Sequence, residues 1–236
     1  MPAQPGLPDP LLGFNGQRVT TPRQWVRERR PELKALFQHY MYGAIPPTPR
    51  RLQFRVEAVH KDLLGGQATL KLVAILCGAT NAPRIDLLLA IPNQRKGPAP
   101  VFLGMNFCGN HALLEDPRVP LPRGWVYSSC KGCADGRATE AGRGSQANDW
   151  AIDQTLARGY AVASFCSSDI DSDRADISDG VDAWLGRESK PGAPAPSAHD
   201  RGTIAAWAWG FHRAVDYLVT DRDVDRKRIA VVGHSR

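Results

Sequence analysis

Residues 228–236 read Arg-Ile-Ala-Val-Val-Gly-His-Ser-Arg, and this stretch decides the predicted fold. The apolar run 228–232 is typical of a buried strand, and it leads directly into Gly233, His234 and Ser235. A strand followed by Gly-x-Ser is the first half of the nucleophile elbow G-x-S-x-G, a sharp turn that exposes the serine hydroxyl. We expect position 233 to require glycine, because the backbone at the elbow packs too closely for a Cβ. The pattern predicts Ser235 as a nucleophile, and an ordinary turn serine is the alternative.

The sequence upstream of this motif alternates strands and helices from residue 98 onward. We predict strands at 99–106 and 160–165 and helices at 147–158 and 201–219, with a polar loop at 168–200 and a turn at 221–225. Such alternation is the mark of a parallel sheet covered by helices on both faces.

The first hundred residues have a different pattern. A proline-rich lead, 1–20, precedes a helix at 24–42 that Thr21 and Pro22 cap and Gly43 ends. Three β-rich runs follow, at 53–60, 68–77 and 84–91. Turn residues separate them, as in an antiparallel meander. Together, the strand and helix patterns predict one domain over 21–236, an α/β fold with a mixed, mostly parallel sheet.

Composition excludes several classes of protein. With 236 residues, 42% hydrophobic and 23% charged, the chain is neither disordered nor fibrous. No apolar run approaches the roughly 20 residues that span a bilayer. The first residues hold neither a basic nor an apolar segment, so no secretion signal is visible. The net charge of +6 lies mostly in the first 60 residues, where the Arg27–Arg30 cluster predicts a solvated helix face rather than a nucleic-acid site.

The five cysteines do not predict a disulfide scaffold, because their number is odd and their spacing is irregular. We expect Cys77, Cys108 and Cys166 to be buried thiols, since each lies in or just after an apolar run. Cys130 and Cys133 allow a local disulfide, a redox pair or two idle thiols.

An acidic run and a tryptophan pair each have a structural explanation. Residues 169–173 begin like a calcium loop, but Arg174 and Gly180 stand where that loop needs glycine and glutamate, so a solvated acidic turn is predicted. Trp207 and Trp209 are expected in the core rather than on a sugar-binding surface.

The loop after the strand 99–106 is the second candidate for catalysis. In an α/β-hydrolase, the equivalent loop donates a backbone N–H to the oxyanion hole, and small residues let the backbone approach the developing charge. Asn106, Phe107, Cys108 and Gly109 occupy this position. The alternative is an ordinary exit from a strand.

These residues resemble the bacterial glucuronoyl esterases of carbohydrate esterase family 15, from about residue 20 to residue 236. The motifs that carry the resemblance are Asn106-Phe-Cys-Gly-Asn-His111, Asp116-Pro117, Arg158-Gly-Tyr-Ala161, Trp207-Ala-Trp-Gly210, Arg213-Ala-Val-Asp-Tyr217, Val224-Asp225, Arg228 and Gly233-His-Ser-Arg236. The arginine directly after the serine separates this family from other G-x-S-x-G esterases.

The resemblance implies an α/β-hydrolase that cleaves the ester between 4-O-methyl-glucuronic acid on xylan and lignin alcohols, without a metal or other cofactor. It implies Ser235 as the nucleophile and Arg236 as an oxyanion stabiliser through its N–H and guanidinium, with loop 106–109 completing the hole. Gly233 and His234 form the elbow. It also implies a secreted or periplasmic protein with a polysaccharide ester as its partner, and neither nucleic acid nor a membrane. The oligomeric state stays open.

The family order places the acid and the histidine of the triad after the nucleophile, and no histidine follows Ser235. We therefore expect the chain to be the N-terminal part of a longer enzyme, truncated after the nucleophile strand and inactive by itself, because an unassisted serine is a poor nucleophile. His111 is a weak candidate for the base. The alternatives are an acetyl or methyl esterase on plant polysaccharide, a catalytically incomplete fragment that keeps the fold, and, less favoured, a Cys130/Cys133 redox module.

Overall fold

The computed structural model describes residues 6–78, 81–174, 178–188 and 201–233. Predictions on His234, Ser235 and Arg236 lie outside the described residues. The strands are β1 (Gln53–Asp62), β2 (Ala68–Leu76), β3 (Arg84–Pro92), β4 (Ala99–Asn106), β5 (Cys133–Ala134), β6 (Arg137–Ala138), β7 (Ala161–Cys166) and β8 (Val224–Val232). The α-helices are α1 (Pro22–Gln24), α2 (Arg30–Phe37), α3 (Leu63–Gly66), α4 (Ala147–Trp150), α5 (Ile152–Ala157), α6 (Gly180–Glu188) and α7 (Thr203–Leu218).

Six strands form one mixed sheet in the order β1-β2-β3-β7-β4-β8. The pairs β1–β2, β2–β3 and β3–β7 are antiparallel, which confirms the predicted meander. The pairs β7–β4 and β4–β8 are parallel, as the strand and helix alternation predicted. Strands β5 and β6 pair separately as a small hairpin.

The central strands of the sheet are buried on both faces. Along β3, Leu87 and Leu89 point to the face that α7 covers, whereas Leu88 and Ala90 point to the face that α5 covers. Successive strand side chains alternate between faces, so the unbroken apolar run of β3 is what a doubly covered sheet requires. The prediction of an α/β-hydrolase architecture with helices on both faces is confirmed.

The N-terminal helical segment begins where it was predicted. Thr21 and Gln24 form a reciprocal capping box, with the Gln24 N–H donating to Thr21 Oγ1 at 3.2 Å. Wider π turns at Trp25–Arg29 and Gln38–Tyr42 flank α2. Gly43 has a φ of 80° and ends the segment.

Three predicted elements differ from the observed ones. Ala151 adopts a left-handed conformation, φ 42°, and divides the predicted helix 147–158 into α4 and α5. The predicted polar loop 168–200 contains α6, because Val181 and Trp184 pack on the core. Strand β8 begins at Val224 rather than Arg228, since Val224 pairs with Ala99 of β4.

Strand β8 lies at one end of the sheet as far as the described residues extend. Its side chains Val231 and Val232 are 59% and 51% exposed. No helix within the described ranges has the length and apolarity that a bilayer crossing needs.

Candidate active site

The site is defined by the edge of the sheet at which the parallel strands end. Gly104 of β4 pairs with Val232 of β8, and Asn106 pairs with Cys166 of β7. Loop 106–109 and Gly233 therefore lie at the same edge of the sheet. In open α/β sheets, ligands bind outside this carboxyl edge.

Gly233 is the last described residue of the predicted elbow. A Cβ built on it meets no described atom within 4 Å. The expected close packing concerns a turn that continues into His234 and Ser235, which lie outside the described residues, so the reason for a glycine at position 233 stays a prediction.

Loop 106–109 is held by the side chain of its first residue. Asn106 is 2% exposed, and its Oδ1 accepts the Gly109 N–H at 2.7 Å. Gly109 has a φ of 96°, and a Cβ on it would lie 2.5 Å from Pro122 Cγ, so only glycine fits. Because the Gly109 N–H donates within the loop, it is not an oxyanion donor in this conformation. The N–H groups of Phe107 and Cys108 are the remaining candidates.

A disulfide fixes the same loop from its other side. Cys108 and Cys130 are bonded, with their Cα atoms 5.5 Å apart and a separation of 22 positions in sequence. The prediction of Cys108 as a thiol is wrong, and so is a Cys130–Cys133 pairing. Cys133 keeps a thiol, which donates to the Val126 carbonyl at 3.6 Å. Loop 106–109 is therefore bonded covalently to segment 125–142.

Cys77 and Cys166 are buried thiols, as predicted. Burial raises the pKa of each thiol to about 12. Both are protonated at neutral pH and act as small apolar groups.

The Phe107 ring of the loop packs against two other aromatic side chains. The Phe107 ring lies 5.6 Å from that of Trp207 and 5.9 Å from that of Tyr127, both edge to face. Trp207 and Trp209 are 2% and 0% exposed, which confirms their predicted core role. Their indole N–H groups donate to the carbonyls of Asp171 and Pro47.

The acidic turn after β7 is folded into the molecule, so the prediction that it is solvated is wrong for Asp169 and Asp171. Asp171 is 6% exposed and accepts from the Thr203 hydroxyl at 3.0 Å. Burial raises the pKa of Asp171, and burial together with Asp86 raises that of Asp169 well above its usual value. These carboxyls anchor the turn against α7 and β3.

His111 lies behind loop 106–109 and is 1% exposed. Its Nδ1 and Nε2 lie close to Gly109 and Gly142, at 2.9 and 3.1 Å from the Cβ positions built on those glycines. Neither ring nitrogen has a hydrogen-bond partner among the described residues. This closed position does not suit a general base, which must reach the proton it removes.

The His111→Phe variant of the full-length protein should lose less stability than the wild type between about pH 7 and pH 5. Burial, with Arg143 nearby, lowers the pKa of His111, so the unfolded chain binds a proton that the folded one resists. This component of stability is present above the unfolded pKa of about 6.5 and is lost as pH falls below it. Urea unfolding at a series of pH values measures it, with exposed His39→Phe as control. Parallel wild-type and His111→Phe curves would contradict the prediction.

Residues that the sequence analysis missed surround the loop. Ser164 of β7, Asn110 and Pro122 all contact it. In the sequence, Ser164 is one residue of an apolar strand. Its contact with the loop depends on the register between β4 and β7, which the sequence alone does not reveal. Asn110 belongs to the motif 106–111, but the sequence pattern predicts no separate role for its amide.

The chain is similar in sequence to known esterases. A family model described as fungal glucuronyl esterase matches residues 193–236. Carbohydrate esterase MZ0003, from an unknown prokaryotic organism, is 41% identical over 232 residues, which are 98% of this chain and 53% of that protein.

Two solved structures are similar to this chain over nearly its whole length. Glucuronoyl esterase from Solibacter usitatus has a TM-score of 0.86 at 39% identity, with 99% of this chain and 58% of that one covered. A promiscuous CE15 esterase from a marine bacterial metagenome has a TM-score of 0.84 at 39% identity, with the same coverage of 99% and 58%. The chain thus spans about half the length of the relatives it matches. Sequence and fold together show that this chain belongs to carbohydrate esterase family 15.

Proposed function

We propose that this chain supplies the nucleophile and the oxyanion loop of a serine esterase that cleaves 4-O-methyl-glucuronate esters linking xylan to lignin alcohols. One observation supports the proposal: the pairing of Gly104 with Val232 brings Gly233, the first residue of the Gly-x-Ser motif, and loop 106–109 to one edge of the sheet. The names of the similar esterases support the substrate class.

In the proposed reaction, Ser235 Oγ attacks the ester carbonyl while a general base accepts its proton. The tetrahedral intermediate expels the alcohol, which takes up a proton, and leaves a glucuronoyl-serine ester. Water then attacks this acyl-enzyme and releases the glucuronate and the free serine.

The oxyanion of both tetrahedral intermediates needs donors that are already in place. The Arg236 N–H and guanidinium are proposed on one side, and the N–H groups of Phe107 and Cys108 on the other. A charged guanidinium gives stronger hydrogen bonds than a neutral donor. Loop 106–109 suits the role because a disulfide and a buried asparagine hold it, so little reorganisation is needed as charge develops.

Export to the periplasm or the extracellular space is part of the proposal. The Cys108–Cys130 disulfide supports it, because such bonds persist in oxidising compartments and are rare in the cytosol. A polysaccharide substrate would be encountered in the same place.

The test compares two substrates with the full-length protein. We expect kcat/KM for benzyl glucuronate to exceed that for acetylated xylan by about 100-fold, since a site built for the glucuronoyl group discriminates by its polar contacts. Faster release of acetate from acetylated xylan would favour the acetyl esterase alternative. Binding of glucuronoxylan without hydrolysis of either ester would contradict an enzymatic role.

A further inference from the structure

The Asn106 side chain connects the oxyanion loop to the middle of the sheet. Its Nδ2 donates to the Ser164 hydroxyl at 3.0 Å and to Asn110 Oδ1 at 2.7 Å. Its Oδ1 accepts the Gly109 N–H at 2.7 Å. One amide thus joins β7 to two positions of the loop.

A second amide extends this connection to β3. Asn110 Nδ2 donates to the Asp86 carbonyl at 2.7 Å. Asn106, Asn110 and Ser164 are 2%, 8% and 0% exposed, so water does not compete for their bonds. Polar networks of this burial are rigid when every member is satisfied.

The orientation of the Asn106 amide decides the path of the loop. If the amide were reversed, its NH₂ would face the Gly109 N–H, and two donors would oppose each other. Asn110 Oδ1 accepts from Nδ2 and favours the observed orientation, because the Asn110 amide is itself fixed by its bond to the Asp86 carbonyl. The Ser164 hydroxyl also accepts from Nδ2 and holds the side chain in place. With the Gly109 N–H held by Oδ1, the turn leaves the N–H groups of Phe107 and Cys108 as candidate oxyanion donors.

We propose that Ser164 is a positioning residue for ester hydrolysis, because its buried hydroxyl anchors the Asn106 side chain and thereby the oxyanion loop. The inference rests on the proposed function. Ser164 lies on β7 between Leu88 of β3 and Gly104 of β4, so it reaches the substrate only through Asn106.

The Ser164→Ala variant of the full-length protein should lower kcat by about tenfold while KM changes by less than about twofold. Displaced oxyanion donors weaken the transition state and leave ground-state binding intact. Hydrogen exchange of the peptide covering 106–112 should become faster in the same variant, since the loop loses an anchor. Ser164→Thr keeps the hydroxyl and should retain kcat within about threefold, which covers the case in which the alanine variant folds poorly.

Thr69→Val is the matched control. The Thr69 hydroxyl donates to Asn93 Oδ1 at 2.6 Å at the opposite edge of the sheet, so its loss also removes one internal hydrogen bond. We expect Thr69→Val to leave kcat and the exchange of 106–112 unchanged.

The outcomes separate the two proposals. A wild type that hydrolyses no glucuronate ester contradicts the proposed function. An active wild type overturns the role of Ser164 if Ser164→Ala keeps its kcat, loses only as much as Thr69→Val, or leaves the exchange of the loop unchanged. A Ser164→Thr variant as slow as Ser164→Ala would overturn it as well.

Discussion

Replacing Ser235 with alanine in the full-length protein should lower kcat for benzyl glucuronate by about 10⁵- to 10⁶-fold. The variant has no oxygen to form the acyl-enzyme, and only binding and the oxyanion donors remain to assist direct attack by water. Steady-state hydrolysis, followed by release of benzyl alcohol, measures the loss. In wild type, mass spectrometry of an acid-quenched reaction should show a glucuronoyl adduct on the peptide that contains Ser235.

The matched control for this experiment is Ser128→Ala, an exposed serine in the loop after Val126. Its kcat should equal that of the wild type, and neither variant should change the midpoint of thermal unfolding by more than about 2 °C. A Ser235→Ala variant that folds normally and retains more than about a tenth of the activity would rule out Ser235 as the nucleophile.

Replacing Lys71 with methionine should lower the free energy of unfolding by about 3–5 kcal/mol. The Lys71 ammonium lies 2.7 Å from Asp221 and 2.8 Å from Asp223, and the side chains of Lys71 and Asp221 are only 11% and 4% exposed. Removing the ammonium leaves the Asp221 charge buried beside Asp223, with the Tyr217 hydroxyl as a remaining donor. Urea or guanidinium unfolding at neutral pH measures the change.

The same variant should show its effect only where Asp221 is ionised. Burial acts to raise the pKa of Asp221, but the hydrogen bonds from Lys71 and Tyr217 outweigh it and hold the pKa below its usual value. This stability is present above the unfolded pKa and is lost as pH falls through the folded one, so wild type and variant should converge in acid. Arg55→Met, which breaks an exposed pair with Glu57, should cost less than about 1 kcal/mol. Equal losses in the two variants would show that Lys71 contributes no more than a surface charge.

Elements with strong apolar periodicity were predictable from the sequence. Strand β4 occupies the predicted residues 99–106, and the antiparallel β1–β3 meander agrees within two residues at each end. A strand that is buried on both faces, as β3 is, must be apolar along most of its length, and this makes it recognisable in the sequence. The Thr21 cap was also readable, because a capping box is local.

Features that depend on distant contacts were not predictable. The break at Ala151 has neither glycine nor proline to signal it. The turn around Asp171 is rich in charge, yet α7 supplies the Thr203 hydroxyl that makes its burial tolerable. The Cys108–Cys130 bond joins residues 22 apart, whereas the short Cys130–Cys133 spacing suggested a local pairing.

The candidate site was predictable as a stretch of sequence but not as an arrangement of donors. The sequence pattern predicts Asn106 to Gly109 as one loop, and in the structure Asn106 Oδ1 accepts the hydrogen bond of the Gly109 N–H. Only the register between β4 and β7 reveals Ser164 as a neighbour of Asn106.

The Cys108–Cys130 bond has a practical consequence for recombinant production. Protein synthesised in a reducing bacterial cytoplasm will carry both cysteines as thiols, and oxidation during purification can then join Cys130 to Cys133, which is three residues away and keeps its thiol in the native fold. Such a preparation would be a mixture in which loop 106–109 of some molecules has lost its covalent anchor. Expression with export to the periplasm, or refolding in a glutathione redox buffer, avoids this mixture.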